Sequence, residues 1–123
     1  MFSFKRQVGN QAETIALKHL CKHGLELIEQ NYLTQAGEID IIMLDKSEQT
    51  LVFIEVRYRQ NTQFGSATES VDRHKQAKLI RTAQYYLQRH SKYQEFICRF
   101  DVVGVESDLK YPTINWIKNA FEA

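Results

Sequence analysis

Two carboxylates in this sequence stand where carboxylates are costly. Glu55 interrupts Leu51–Val52–Phe53–Ile54–Glu55–Val56, otherwise an apolar run that reads as a central strand. Asp40 lies in Glu38–Leu44, where Ile39, Ile41 and Met43 alternate with Glu38, Asp40 and Ile42. The five residues between, Asp45–Lys46–Ser47–Glu48–Gln49, are polar and suit a hairpin loop. With the turn near Ser47, Asp40 falls opposite or diagonal to Glu55. Directly opposed residues share a face, their Cβ atoms roughly 4.5–5.5 Å apart, where like charges are destabilising. A carboxylate buried without a partner takes up a proton or needs a counter-charge. The candidates are a salt bridge from Arg57 or Arg59, or a hard cation such as Mg²⁺, typically held by one or two carboxylates plus water and substrate phosphate. The competing reading is an edge pair screened by arginines. A slip of one residue would put the two groups on opposite faces.

The elements that must position this pair can be read from periodicity. Gln7–His23 predicts a helix, with Val8, Ala12, Ile15, Ala16, His19 and Leu20 on one stripe and Gly24 as its stop. Glu13, at the margin of that stripe, could point along the sheet toward the pair or simply flank the helix. Strands are expected over Leu25–Tyr32, Glu38–Leu44 and Thr50–Tyr58, then a loop over Arg59–Ser66. Ser70–His90 predicts a second helix with the stripe Leu79, Ile80, Ala83, Tyr86 and Leu87. A fourth strand is expected over Phe96–Val105. Ile114–Phe121 is expected to form a short helix anchored by Trp116 and Phe121. The order is α-β-β-β-α-β plus that C-terminal helix. The first three strands form a meander, and the second helix is long enough to return the chain for a parallel fourth strand. The class is α/β with a mixed sheet, in one domain spanning 1–123.

Composition narrows the function classes. A hydrophobic fraction of 43% and a charged fraction of 25% are those of a folded globular chain, which argues against a disordered one. The N-terminal stretch Met1–Arg6 has no apolar region behind its bases, and no run approaches a membrane span, so the expected location is the cytoplasm, with no membrane partner. Cys21 and Cys98 lack metal-type spacing and read as free thiols. The net charge of +1 is uninformative, but its distribution is not: from Arg73 to Lys92 there are six Lys or Arg, two His and no acid. Such an element is either a solvated face or an electrostatic footprint for nucleic acid.

The chain resembles the YraN family of small bacterial proteins. The resemblance is carried by Gly9–Asn10–Gln11–Ala12–Glu13, Asn31–Tyr32, Gly37–Glu38–Ile39–Asp40, Val52–Phe53–Ile54–Glu55–Val56–Arg57, Phe64–Gly65–Ser66–Ala67, Arg99–Phe100–Asp101–Val102–Val103 and Trp116–Ile117–Lys118–Asn119–Ala120–Phe121. That family is assigned by similarity to the restriction-endonuclease-like, or PD-(D/E)XK, nuclease fold, near the archaeal Holliday junction resolvases. The resemblance implies that Asp40 and Glu55 ligate Mg²⁺ or Mn²⁺ with the backbone carbonyl of Val56. Glu13 then corresponds to the helix-borne Glu of resolvase-like members. The lysine of the E-x-K motif corresponds to Arg57. Arg keeps its proton and cannot act as a base, although it can clamp a phosphate and stabilise charge. Lys75 is a candidate for a displaced amine.

Two functions follow. In the first, the chain is a Mg²⁺-dependent endonuclease with Asp40, Glu55 and Arg57 as catalytic residues. Its substrate is DNA, of the branched or flapped structure that the kinship to resolvases implies, held by Arg59, Arg73, Lys75, Lys78 and Arg81, and a homodimer would let two sites meet two strands. In the second, it is a non-catalytic nucleic-acid-binding module that keeps the fold.

Overall fold

A computed structural model describes residues 4–63 and 65–123, with the side chains of 4–9 outside the description. Met1–Ser3, Phe64 of the Phe64–Ala67 motif and the Val8 side chain of the first helical stripe therefore lie outside it. The chain runs through α1 (Phe4–Lys22), β1 (Leu25–Leu33), β2 (Glu38–Asp45), β3 (Thr50–Arg59), α2 (Arg73–Arg89), β4 (Ile97–Ser107) and β5 (Pro112–Phe121), with short 3₁₀ turns at Thr68–Ser70 and Ser91–Tyr93. The strands form one mixed sheet in the order β1-β2-β3-β4-β5. β1, β2 and β3 are an antiparallel meander, and β4 joins β3 in parallel after the chain returns through α2. No helix among the described residues is long and apolar enough to cross a membrane. Both cysteines are free thiols.

Each face of the sheet has its own core. Ala12, Ala16 and Leu20 bring α1 onto Ile41, Met43, Val52, Ile54, Val103 and Val105. Leu79, Ala83 and Tyr86 bring α2 onto Ile39, Ile42, Leu51, Phe53, Phe100 and Val102. The period-3.6 stripes predicted these contacts. Thr82, fully buried on α2, lies outside the apolar stripe; its hydroxyl donates back to the Lys78 carbonyl at 2.8 Å, so burial leaves no polar group unpaired.

Three expectations need correction. The predicted C-terminal helix is instead a strand, β5, antiparallel to β4. Its first half alternates, with Ile114 and Trp116 packing on the α1 side. After Asn119, at φ +52°, Ala120 and Phe121 turn to the α2 side. Buried Asp101 draws this edge in: it accepts from the Trp116 indole at 2.9 Å and from the Asn119 main-chain N–H at 2.9 Å. The second helix begins at Arg73 rather than Ser70, because Asp72 caps it by accepting from the Lys75 N–H at 2.9 Å. Finally, strict alternation predicts Ile39 on the face of Ile41 and Met43, but Ile39 packs on the α2 side and those two on the α1 side. Asn31, opposite this switch on β1, adopts φ +54°, and the far end of the β1–β2 hairpin turns over there.

Asp101 also binds Arg99 Nε at 3.1 Å, and Arg99 Nη1 reaches Asp45 at 3.1 Å. Removing one partner of a buried, hydrogen-bonded charge leaves the others unpaired. Asp101→Ala is expected to cost about 3–5 kcal/mol in chemical denaturation, and Trp116→Phe, which removes one donor, about 1 kcal/mol.

Candidate functional site: a carboxylate pair with two cations

The β2–β3 hairpin turns between Asp45 and Thr50, which are paired, and the ladder runs up to Ile41 opposite Ile54. The next step brings Asp40 to Glu55, the register expected from a turn near Ser47. There the ladder stops. Instead of a main-chain acceptor, the N–H of Val56 finds Asp40 Oδ2 at 2.8 Å. The Asp40 carboxyl is thus fixed to the backbone of β3 and interacts directly with the Glu55 carboxyl beside it. Glu55 is 3% exposed.

Burial first, and the Glu55 charge second, push the Asp40 pKa up to about 8, against the Val56 hydrogen bond, which lowers it. Glu13 on α1 is drawn into the same field: burial, then Asp40 and Glu38, push it up to about 7. The Asn31 amide, in the orientation that satisfies both contacts, donates to Glu13 Oε1 at 3.0 Å and Glu38 Oε1 at 3.1 Å. Glu38 and Asn31 were not among the sequence candidates. The signal for them was the short spacing of Glu38 to Asp40 and the polar run Glu29–Gln30–Asn31 inside β1.

Two cations reach Glu55, both at Oε2. Lys75 Nζ comes from the first turn of α2 at 3.3 Å, and Arg57 Nη1 from two residues along β3 at 3.6 Å. Oε1 takes part in neither ion pair. Each cation is independently held. Lys75 is set by the Asp72 cap. Arg57 Nε donates to Ser70 Oγ at 2.8 Å, and Ser70 donates in turn to the Ala67 carbonyl at 2.5 Å. The turn that carries Ser70 is pinned to β4. The Ala67 N–H donates to Glu106 Oε2 at 2.6 Å, and a β-carbon at Gly104 would lie 3.1 Å from Ala67 Cβ and Thr68 Cγ2.

The structure therefore brings together Asp40, Glu55, Val56, Arg57 and Lys75, with Glu13 at the margin. Arg59, Arg73, Lys78 and Arg81 are exposed and make no ion pair among the described residues. Among the described residues no group of three or more His, Cys, Asp or Glu side chains is placed to hold a metal ion. The side-chain donors available are the two carboxylates: Asp40 takes part in no ion pair among the described residues, and Glu55 keeps Oε1 outside its two. That donor set fits Mg²⁺, which completes its shell with water and substrate phosphate, better than a metal requiring an all-protein cage.

Comparison with known proteins matches residues 12–105 to the model of a family described as "Uncharacterised protein family UPF0102". A UPF0102 protein of Stutzerimonas stutzeri is 49% identical over 94% of each chain. One from Pseudomonas fluorescens is 50% identical over 95% of this chain and 94% of its own. One from Vibrio parahaemolyticus is 47% identical over 94% and 93% respectively.

A carboxyl whose folded pKa is raised holds its proton more tightly folded than unfolded. The fold should therefore lose stability as pH rises from about 4, the unfolded value, through about 8 in the absence of divalent cations. Asp40→Asn, whose amide oxygen can still accept from Val56, is expected to flatten that slope and to stabilise the protein at pH 8.5 by on the order of 2 kcal/mol in urea titrations.

Proposed function

The chain belongs to the UPF0102 (YraN) family, and we propose that it is a metal-dependent endonuclease hydrolysing phosphodiesters of DNA, with a restriction-endonuclease-like core. The observation that carries this reading is the placement of Lys75 and Arg57 on one oxygen of Glu55, beside an Asp40 held to the main chain. Both cations converge on Oε2 of Glu55, and neither pairs with Asp40. A phosphodiester site needs fixed carboxylates and cations converging where charge develops.

Asp40 and Glu55, with the Val56 carbonyl, would hold Mg²⁺ or Mn²⁺. When bound, such a cation lowers the pKa of water and polarises a phosphoryl oxygen. The chain's own groups account for the rest. Arg57, locked by Ser70, presents a guanidinium that can donate to phosphoryl oxygens and stabilise developing negative charge, but it cannot move a proton. Lys75 can: a lysine amine has three donors and, unlike a guanidinium, can give up and regain a proton. Lys75 thus takes on the task that the resemblance assigns to position 57, delivered from a helix rather than from the strand. Lys78, Arg81, Arg73 and Arg59 are free to hold flanking phosphates, which makes binding steeply salt-dependent. Two sites in a homodimer would serve two strands. A second reading, a nucleic-acid-binding module without chemistry, is favoured by one residue, Arg57 in place of lysine.

Calorimetry with Mg²⁺ and Mn²⁺ on the wild type and Asp40→Asn, followed by cleavage of branched and single-stranded DNA, tests both. Cation binding lost in Asp40→Asn, with cleavage reduced about 10²–10⁴-fold in Lys75→Met, is the expected result. Absence of cation binding at millimolar concentration rejects the nuclease. Cation and DNA binding without cleavage selects the binding module.

A further inference from the structure

His19 lies in the last turn of α1 and His23 just past its end. Their rings are neighbours, with centroids 4.4 Å apart and planes tilted by 38°. Histidines at i and i+4 on one helix face are spaced to share one metal ion. With nitrogens about 2.0–2.1 Å from a Zn²⁺ ion and ring centroids roughly 1.1 Å behind them, two ligating rings sit roughly 4.5–5.2 Å apart for angles between square and tetrahedral. The observed pair is a small side-chain rotation from that separation.

His23 already makes the outer hydrogen bond of a metal ligand. Its Nδ1 lies 2.8 Å from the His19 carbonyl. A carbonyl only accepts, so Nδ1 carries the proton and the neutral ring keeps its lone pair at Nε2. The His23 main-chain N–H is shared between the His19 and Leu20 carbonyls at 3.2 and 3.1 Å, which fixes the carrier. Burial first, then the charges of His23 and Lys22, lower the His19 pKa, which favours the neutral, ligating ring. Trp116 meets both rings edge-on, with centroids 6.1 and 5.9 Å away, and its indole is held by Asp101 at 2.9 Å. The pair therefore lies between a helix C-terminus, where a cation is favoured, and a fixed aromatic wall.

The charges that reach His19 are those of His23 and Lys22, and Lys118 lies over the Trp116 ring at 4.6 Å. No carboxylate is among them, so Mg²⁺ and Ca²⁺, which need oxygen ligands, have no site here. Imidazole nitrogen suits Zn²⁺, Ni²⁺ and Cu²⁺ instead. We propose that His19 and His23 form a chelating site for a first-row transition cation such as Zn²⁺, with water in the remaining positions. The site is separate from the carboxylate pair and does not rest on the phosphodiester reading.

Trp116 is the chain's one tryptophan, so its emission reports from the wall of the site. The test titrates the protein with Ni²⁺, whose unpaired d electrons quench a nearby indole, and then with Zn²⁺, which is d¹⁰ and does not. The wild type is expected to be quenched by Ni²⁺, to recover as Zn²⁺ displaces it, and to be unaffected by Mg²⁺. His19→Gln and His23→Gln should each weaken Ni²⁺ binding about 10²-fold, because the second imidazole binds as an intramolecular ligand. Asp40→Asn, and Cys21→Ser at the exposed thiol between the histidines, should leave the quenching as it is. Losses of only about twofold in each single variant would mean imidazoles binding separately, an adventitious ion only, and would overturn the chelate. Quenching that survives in the His19→Gln/His23→Gln double variant, or that Asp40→Asn or Cys21→Ser removes, places the ion elsewhere and overturns it as well. So does a wild type that millimolar Ni²⁺ leaves unquenched.

Discussion

Where β2 parts from β3 beyond Ile41 and Ile54, the Val56 N–H loses its ladder acceptor, and an unsatisfied buried N–H costs about 1–3 kcal/mol. Asp40 Oδ2 replaces that acceptor at 2.8 Å. This single hydrogen bond holds the Asp40 carboxyl against Glu55, since swinging away to relieve the repulsion would leave Val56 unpaired. Burial first, and then the Glu55 charge, raise the pKa of Asp40. Other features of the region meet at the same point. The hairpin turns over at Asn31 and Asp40. Glu13 on the opposite helix feels the charge of Asp40.

The cations arrive through anchors that do not depend on each other. Lys75 is set by a helix cap, and Arg57 by a turn that is itself fixed to β4 through Ala67 and Glu106. Gly104 matters here because a side chain would strike Ala67 and Thr68. A salt bridge kept only to neutralise Glu55 would need no such rigidity, because long basic side chains reach a buried carboxylate through many rotamers. Fixed donors are useful where charge must be met in one place.

Much of this was legible in the residues. Alternation and hairpin length predicted that Asp40 and Glu55 would meet, and Glu55 inside an apolar run announced a buried charge. The apolar stripes of both helices predicted which faces pack. The missed features have physical reasons. β5 was mistaken for a helix because Trp116 and Phe121 read as anchors of a short amphipathic turn. What decides it is tertiary: the open edge of β4 and the two donors that Asp101 requires. The turnover at Asn31 needs one residue at positive φ, which alternation cannot express. Lys75 stood as a candidate displaced amine or a solvated helix lysine, and its reach to Glu55 depends on where Asp72 starts the helix.

The same sheet contains a control for the argument. Asp101 is as buried as Glu55, and Arg99 is also buried. Yet Asp101 has both oxygens occupied by Arg99, Trp116 and Asn119, and Arg99 bridges on to Asp45. That network is satisfied, apart from Arg99 Nη2, and its role in joining β5 to the sheet is structural. At Asp40 and Glu55 the chain places two carboxylates together and supplies cations to one oxygen only. A fold that satisfies one buried acid so fully can satisfy another. Local rules broken without internal compensation mark the positions where a structure serves something outside itself. Under the proposed function, a bound divalent cation would supply the positive charge that reaches Glu55 but not Asp40.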